Sequence, residues 1–233
     1  MDFAFNLGCV GFIWISGIGV LKSASRPGHT AGSFTVIAEK HMLARTDLWS
    51  LEQYAERRNT FREQVLAHKR NRQLLIGEHI FLIFEDRMTI QYQIQEMLRI
   101  ERVFEPGAIQ EELDAYNPLI PDGDNFKCTL LIQYPDENER RVRLQELKGV
   151  EDEVWLQVEG MKQCMPIADE DIERENDDKT SSVHFLRYQL SPAEIGALKQ
   201  GRNLTAGVSH DAYPVDEVIV PDTIREALVG DLH

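Results

Sequence analysis

The sequence predicts an α+β fold: an N-terminal helical pair with one buried strand, followed by an open α/β sandwich of two βαβ-like units, ferredoxin-like in kind. Three observations carry that expectation. Residues 51–72 and 87–104 repeat apolar side chains at helical spacing. Between them His79–Phe84, HIFLIF, is a continuous apolar run of strand length. Beyond residue 121 the order strand, capped helix, glycine, strand occurs twice, in TLLIQYPDENERRVRLQELKGVEDEVWLQV and HFLRYQLSPAEIGALKQGRNLTAGV. A crossover of that size links two strands of one sheet. The chain divides accordingly into an apolar extension (1–41), a helix-rich subdomain (42–120) and an α/β subdomain (121–233).

The extension contains an uncharged apolar run, residues 3–21, about as long as a bilayer span. Its flanks do not suit a secretory signal, because Asp2 precedes the run and Lys22 and Arg26 follow it. Two readings stand. The segment is either a membrane anchor that leaves the body cytoplasmic, or a start site assigned upstream of Met42.

The first helix opens with the capping box Ser50-Leu-Glu-Gln53. Leu51, Tyr54, Phe61 and Val65 form its apolar stripe, on which Arg58, His68 and Arg72 also fall, and Gly77 lies beyond its end near Arg72–Leu75. Residues 89–95 alternate like a strand, yet the helical pattern runs longer, so helix is expected. Asp86 caps it, Ile90, Ile94, Met97, Leu98 and Phe104 line one face, and Pro106-Gly107 ends it. On that wheel Glu101 falls within the apolar face, and Glu96 on the opposite one beside Tyr92 and Arg99. A short helix follows over Ile109–Tyr116, then turns at Asn117-Pro118 and Pro121-Asp-Gly123. Strands are expected at Cys128–Tyr134, Val154–Val158, around Cys164–Ile167, at Val183–Leu190 and at Leu204–Val208. Helices are expected after Asp136 and Ser191 and from Pro221.

A net charge of −14 argues against a nucleic-acid binder, which needs a basic surface to displace counterions. Cys9, Cys128 and Cys164 form no CxxC pair, which fits a reducing, cytoplasmic setting without structural zinc. No phosphate-binding glycine loop, HExxH or GxSxG is present, and Glu96 lacks the Glu-x-x-His spacing of a di-iron bundle.

From Leu43 onward RTDLWSLEQY, FREQVLAHKRNR, LIGEHIFLIFEDRMTIQYQIQEMLRIER, AYNPLIPDG and VHFLRYQL resemble an uncharacterised bacterial family, labelled domain of unknown function 3501. Its members tend to be encoded beside a rubrerythrin-like protein and an iron–sulfur oxidoreductase. The resemblance therefore implies a non-catalytic partner protein in a cytoplasmic redox or peroxide-defence module. A metal- or small-ligand-binding enzyme with a His/Glu pocket is the alternative.

Three constellations are candidates for such a role. Arg58, Arg72, Tyr92, Glu96 and Glu101 on the two helices form either an interhelical ion pair, Arg58 with Glu101 or Glu96, or an anion or metal pocket. His184 and His210, with Cys164 or Asp211 as a third ligand, offer a possible metal ion a site if their strands are neighbours. The basic stretch Arg57, Arg58, Arg62, Lys69, Arg70 and Arg72 can dock an acidic partner, or pair with the acidic loop at 169–178. Asp122 and Asp124 flank Gly123 in what reads as a turn rather than a calcium loop.

Overall fold

Two antiparallel sheets organise the described residues, 42–170 and 179–233, in this computed structural model. The first is five-stranded, in the order β1 (Gln73–Ile76), β2 (Ile80–Phe84), β3 (Asn125–Ile132), β7 (Val183–Gln189), β6 (Ile167–Ala168). The second runs β5 (Gln163–Cys164), β4 (Val154–Val158), β8 (Leu204–Val208), β9 (Val215–Ile219). The α+β class holds, and both strand–helix–strand units are present, but every strand pairing is antiparallel. Each unit starts in one sheet and ends in the other: β3 leads through α4 (Glu137–Glu146) to β4, and β7 through α5 (Pro192–Lys199) to β8. The expected parallel return to the same sheet is therefore corrected. The two units instead lie antiparallel to each other on both sheets, Thr129 opposite Phe185 in one and Leu156 opposite Ala206 in the other.

Alternation explains why two sheets form. In β2, β3 and β7 the even-numbered residues Ile80, Leu82, Phe84, Phe126, Cys128, Leu130, Leu186 and Tyr188 share a core with Val154, Leu156, Val158, Leu204, Ala206 and Val208 of the second sheet. The odd-numbered residues Ile83, Leu131, Val183 and Phe185 form a separate cluster on the outer face. Leu144, Leu147, Ile195, Leu198, Ile224 and Leu228, the last two on α6 (Asp222–Val229), extend the inner core.

The helical pair α1 (Leu51–Lys69) and α2 (Arg87–Glu101) begins at the expected caps: Gln53 donates its N–H to Ser50, and Thr89 to Asp86. Tyr54, Phe61 and Val65 of α1 are buried against Trp49, Met88 and Tyr92. On its other flank α2 packs Ile90, Ile94, Met97 and Leu98 against Leu113 and Tyr116 of α3 (Pro106–Tyr116). Covered on both flanks, α2 buries Gln93, Gln95 and Glu96 as well. This reverses the expectation for its acids. Glu96 is buried and Glu101, on the last residue of the helix, is exposed. Phe104 is corrected too: Arg102 turns left-handed (φ 55°) and leaves Phe104 off the helical face, 70% exposed.

Two strands, β1 and β9, were not expected from the sequence, and one expected strand is two. β1 runs straight on from α1 and needs β2 as its partner, and the two pair around Gly77. The segment near Cys164–Ile167 splits at Pro166, which lacks an N–H for a ladder, into β5 and β6 in different sheets. β9 is an edge strand whose residues are mostly exposed, so no alternation marks it. Because β2 pairs with β3, the helix-rich and α/β subdomains share one sheet across residue 120. The apolar run 3–21 lies outside the described residues, among which no helix is long and apolar enough to cross a membrane.

Gly77 shows what the hairpin demands. Its φ is +66°, and a Cβ there would lie 2.4 Å from the Tyr213 hydroxyl. That hydroxyl accepts from Glu78 N (2.7 Å) and His79 N (2.8 Å) and donates to the carbonyl of Ile76 (3.0 Å), tying the hairpin to the second sheet. Gly77→Ala is expected to cost about 1–3 kcal/mol in denaturant unfolding. Gly196→Ala in α5, with no atom near the new Cβ, should be neutral or stabilising by up to about 1 kcal/mol. Equal effects at the two positions would contradict this account.

Candidate functional site

His184 enters the structure on the inner, core-facing side of β7, opposite Leu130, and is fully buried. A buried imidazole needs partners for both nitrogens, and three segments supply them. Asp169, the residue after β6, sits at φ 46° in the left-handed region, which Asp tolerates better than most residues. The Phe185 backbone grips it twice: Asp169 N–H donates to Phe185 O (2.8 Å) and Phe185 N–H to Asp169 Oδ1 (3.0 Å). The second carboxylate oxygen is thereby aimed at His184 Nδ1, 2.6 Å away. Glu151 reaches in from the 3-10 turn Val150–Asp152, which follows Gly149 at φ 85°, and brings Oε1 to 3.6 Å from the same Nδ1. Thr180 closes the group. Its hydroxyl donates to the Glu151 carboxylate, with oxygens at 3.1 and 3.2 Å, and accepts from His184 Nε2 (2.9 Å), which also faces Ser181 O (3.0 Å).

Burial alone would favour a neutral imidazole. The hydrogen bond to Asp169 and the charges of Glu151 and Asp169 outweigh it and raise the His184 pKa. One ligand-type atom from each of Glu151, Asp169 and His184 lies within 4.8 Å of the other two. Chemically this is a buried O2N donor set with a fixed histidine.

The expected partners of His184 are not the ones it meets. His210 follows β8 in the other sheet, where Nε2 donates to Lys148 O (3.0 Å) and Nδ1 accepts from Ala212 N (3.2 Å). Both nitrogens serve the backbone. Cys164, on β5, directs its thiol to Gln189 O at 3.3 Å, and burial, with a smaller contribution from Glu194, pushes its pKa up to about 11. Neither His210, Cys164 nor Asp211 joins the cluster found among the described residues. The requirement that the two histidines lie on neighbouring strands fails.

On the helices the charge pair is Arg58 with Glu96. Arg58 Nε and Nη2 donate to Oε1 and Oε2 at 2.7 and 2.9 Å, Tyr54 Oη to Oε1 at 2.6 Å, and Arg99 Nη2 to Oε2 at 3.0 Å. Burial works against ionisation of Glu96, but the bonds from Arg58, Tyr54 and Arg99 prevail and pull its pKa from the usual 4.5 to about 2. Tyr92 stands beside this group with its ring against Phe61, centroids 5.9 Å apart. Arg72 and Glu101 are not part of it. Arg72 is buried at the far end of α1, where it holds Asp86 (3.1 Å) and, bidentately, Asp231 (2.7 and 2.9 Å), while His68 meets Asp86 at 2.5 Å. The helical constellation is thus two separate clamps, not one pocket.

The basic helix does not meet the acidic residues 169 and 170, which face His184 and Arg187, and 171–178 lie outside the described residues. Arg57 rests over Trp49, 5.4 Å from the ring centroid. Asp122 and Asp124 form the expected turn, both accepting from Asn125 Nδ2 at 2.9 Å.

A family model described as "Protein of unknown function (DUF3501)" matches residues 42–232. The chain belongs to the DUF3501 family. A crystal structure of a protein of unknown function from Burkholderia pseudomallei is similar to it, at 46% sequence identity and a TM-score of 0.79, covering 82% of this chain and 100% of that one. None of the curated proteins compared with the chain matches it. The DUF3501 match thus covers all the residues of the His184 cluster and both helical clamps.

The Glu96 clamp predicts an acid limb of stability. A folded pKa below the unfolded one gives stability that is present above the unfolded value and lost as pH falls toward the folded one. The shift from 4.5 to about 2 corresponds to a contribution on the order of 3 kcal/mol at neutral pH. Unfolding free energies of wild type should fall by that much more than those of Glu96→Gln between about pH 5 and pH 2. Parallel pH profiles for the two proteins would refute the assignment.

Proposed function

We propose that this chain is a metal-binding protein that holds a divalent first-row ion, Mn2+, Fe2+ or Zn2+, through His184 Nδ1 and one oxygen each of Glu151 and Asp169. The observation that carries the reading is the convergence of three donor atoms within 4.8 Å of one another. His184 Nδ1 has a single N–H to give, and Asp169 receives it at 2.6 Å, yet Glu151 is also turned toward that nitrogen at 3.6 Å. A dication in place of the proton would take a bond from all three groups at once. The remote His184 nitrogen is directed at Ser181 O and Glu151 is held by Thr180, the second-layer support that orients metal ligands. Two carboxylates and one imidazole suit manganese, iron or zinc, and three protein ligands leave coordination positions for water or substrate.

The resemblance implies a gene neighbourhood with a rubrerythrin-like protein and an iron–sulfur oxidoreductase, and on that ground we place this chain as an accessory protein in a redox or peroxide-defence module. Bound metal and a partner protein are compatible. The cationic residues of α1 and its C-cap, among them the exposed Arg57 and Arg70, are the surface offered to an acidic partner.

Protein purified without a histidine tag, stripped with chelator and dialysed against Mn2+, Fe2+ or Zn2+, should retain about one equivalent by elemental analysis. Glu151→Gln, which keeps the size of the side chain, should weaken binding by at least about tenfold and His184→Gln should abolish it. Wild-type protein that retains no stoichiometric metal, or Glu151→Gln and His184→Gln proteins that are folded and bind like wild type, would overturn the proposal.

A further inference from the structure

The opposite, outer face of β7 borders a cavity of about 700 Å3, within the range that holds small metabolites. Its chemistry is independent of the metal site. Phe185, Leu119 and Pro118 give it apolar walls. Across its floor Lys127 and Arg187 lie directly opposite each other in the β3–β7 register, both on the odd-numbered outer face. Like charges in that position destabilise a sheet unless something neutralises them.

The neutralising groups come from the rim. Lys127 Nζ meets Asp122 at 2.8 Å, and Arg187 makes two bonds of 2.7 Å to Glu170. The depths are unequal: the Lys127 and Arg187 side chains are 13% and 23% exposed, their partners Asp122 and Glu170 57% and 50%. The cations belong to the cavity and the carboxylates to its solvent edge, so an incoming carboxylate can replace them. Farther in, Glu85 is 2% exposed and makes no ion pair among the described residues. Its two oxygens accept from Thr129 Oγ1 (2.7 Å) and Thr89 Oγ1 (2.6 Å), and its N–H donates to Lys127 O (2.8 Å).

We infer that this cavity binds a small zwitterion of the amino-acid class, its carboxylate bridging Lys127 and Arg187 and its ammonium directed to Glu85. With Asp124, the lining carries four carboxylates against two cations. That balance disfavours a dianion such as phosphate, and the depth of the two cations disfavours a simple amine. A zwitterion meets both charges.

The test is thermal unfolding of the full chain with each proteinogenic L-amino acid at millimolar concentration, repeated for the best probe with its deaminated and decarboxylated analogues. At about tenfold saturation the favoured amino acid should raise the midpoint by about 3–6 °C, and each analogue by less than half of that. Arg187→Met and Lys127→Met, checked for folding by circular dichroism, should each lose the shift. Glu85→Gln should lose it for the amino acid while leaving the weak response to the deaminated analogue. The inference is overturned if no amino acid shifts the midpoint, if the analogues act equally well, or if the folded Arg187→Met and Lys127→Met proteins respond like wild type.

Discussion

The antiparallel pairing of β7 with β3 holds the two halves of this fold in register. It joins the two strand–helix–strand units, and it fixes which residues of β7 face inward. A strand buried on both faces has no spare side: His184, Leu186 and Tyr188 must enter the core, while Phe185 and Arg187 must face the outer cavity. A slip of one residue would exchange the two sets, turning His184 out of the core and Arg187 into it. The short β6 strand rides on the edge of β7 and delivers Asp169 and Glu170 to opposite sides, one to His184 and the other to Arg187.

Charge is used inside this protein chiefly where it joins elements distant in sequence. Glu96 draws Arg58 and Tyr54 of α1 onto α2, and Arg72 links the end of α1 to Asp231 near the C-terminus. Each such pair forbids alternative registers in which a charge would be stranded. The His184 cluster differs in kind. There two carboxylates converge on one buried nitrogen, and that convergence of donor atoms is what the proposed metal site rests on.

Much of the fold was legible in the sequence because it rests on local signals. The caps at Ser50, Asp86, Asp136 and Ser191 each accept the expected backbone N–H, and the apolar run at 80–84 is a buried strand. Sheet membership was not legible, since nothing local to β3 or β7 says that its crossover ends in another sheet. The Glu96–Glu101 reversal has the same origin: a helical wheel assumes one buried face, and α2 has neighbours on two. Of the His184 cluster only His184 itself stood out. Asp169 was hidden at the edge of an acidic loop and Glu151 in a run of acids; β6–β7 pairing places the first and the turn after Gly149 the second, neither of them a matter of sequence spacing. His210 had the same residue type and the same apparent face as a ligand, and two backbone bonds use both its nitrogens.

On the metal-binding proposal, His184 Nδ1 exchanges its proton for a metal ion. Crystals soaked in Mn2+ and measured at a wavelength where manganese scatters anomalously test it without reference to any activity. One strong anomalous peak is expected about 2.0–2.3 Å from His184 Nδ1 and from an oxygen of both Glu151 and Asp169. Density with no peak there, and His184 still bonded directly to Asp169 in saturating metal, would contradict it.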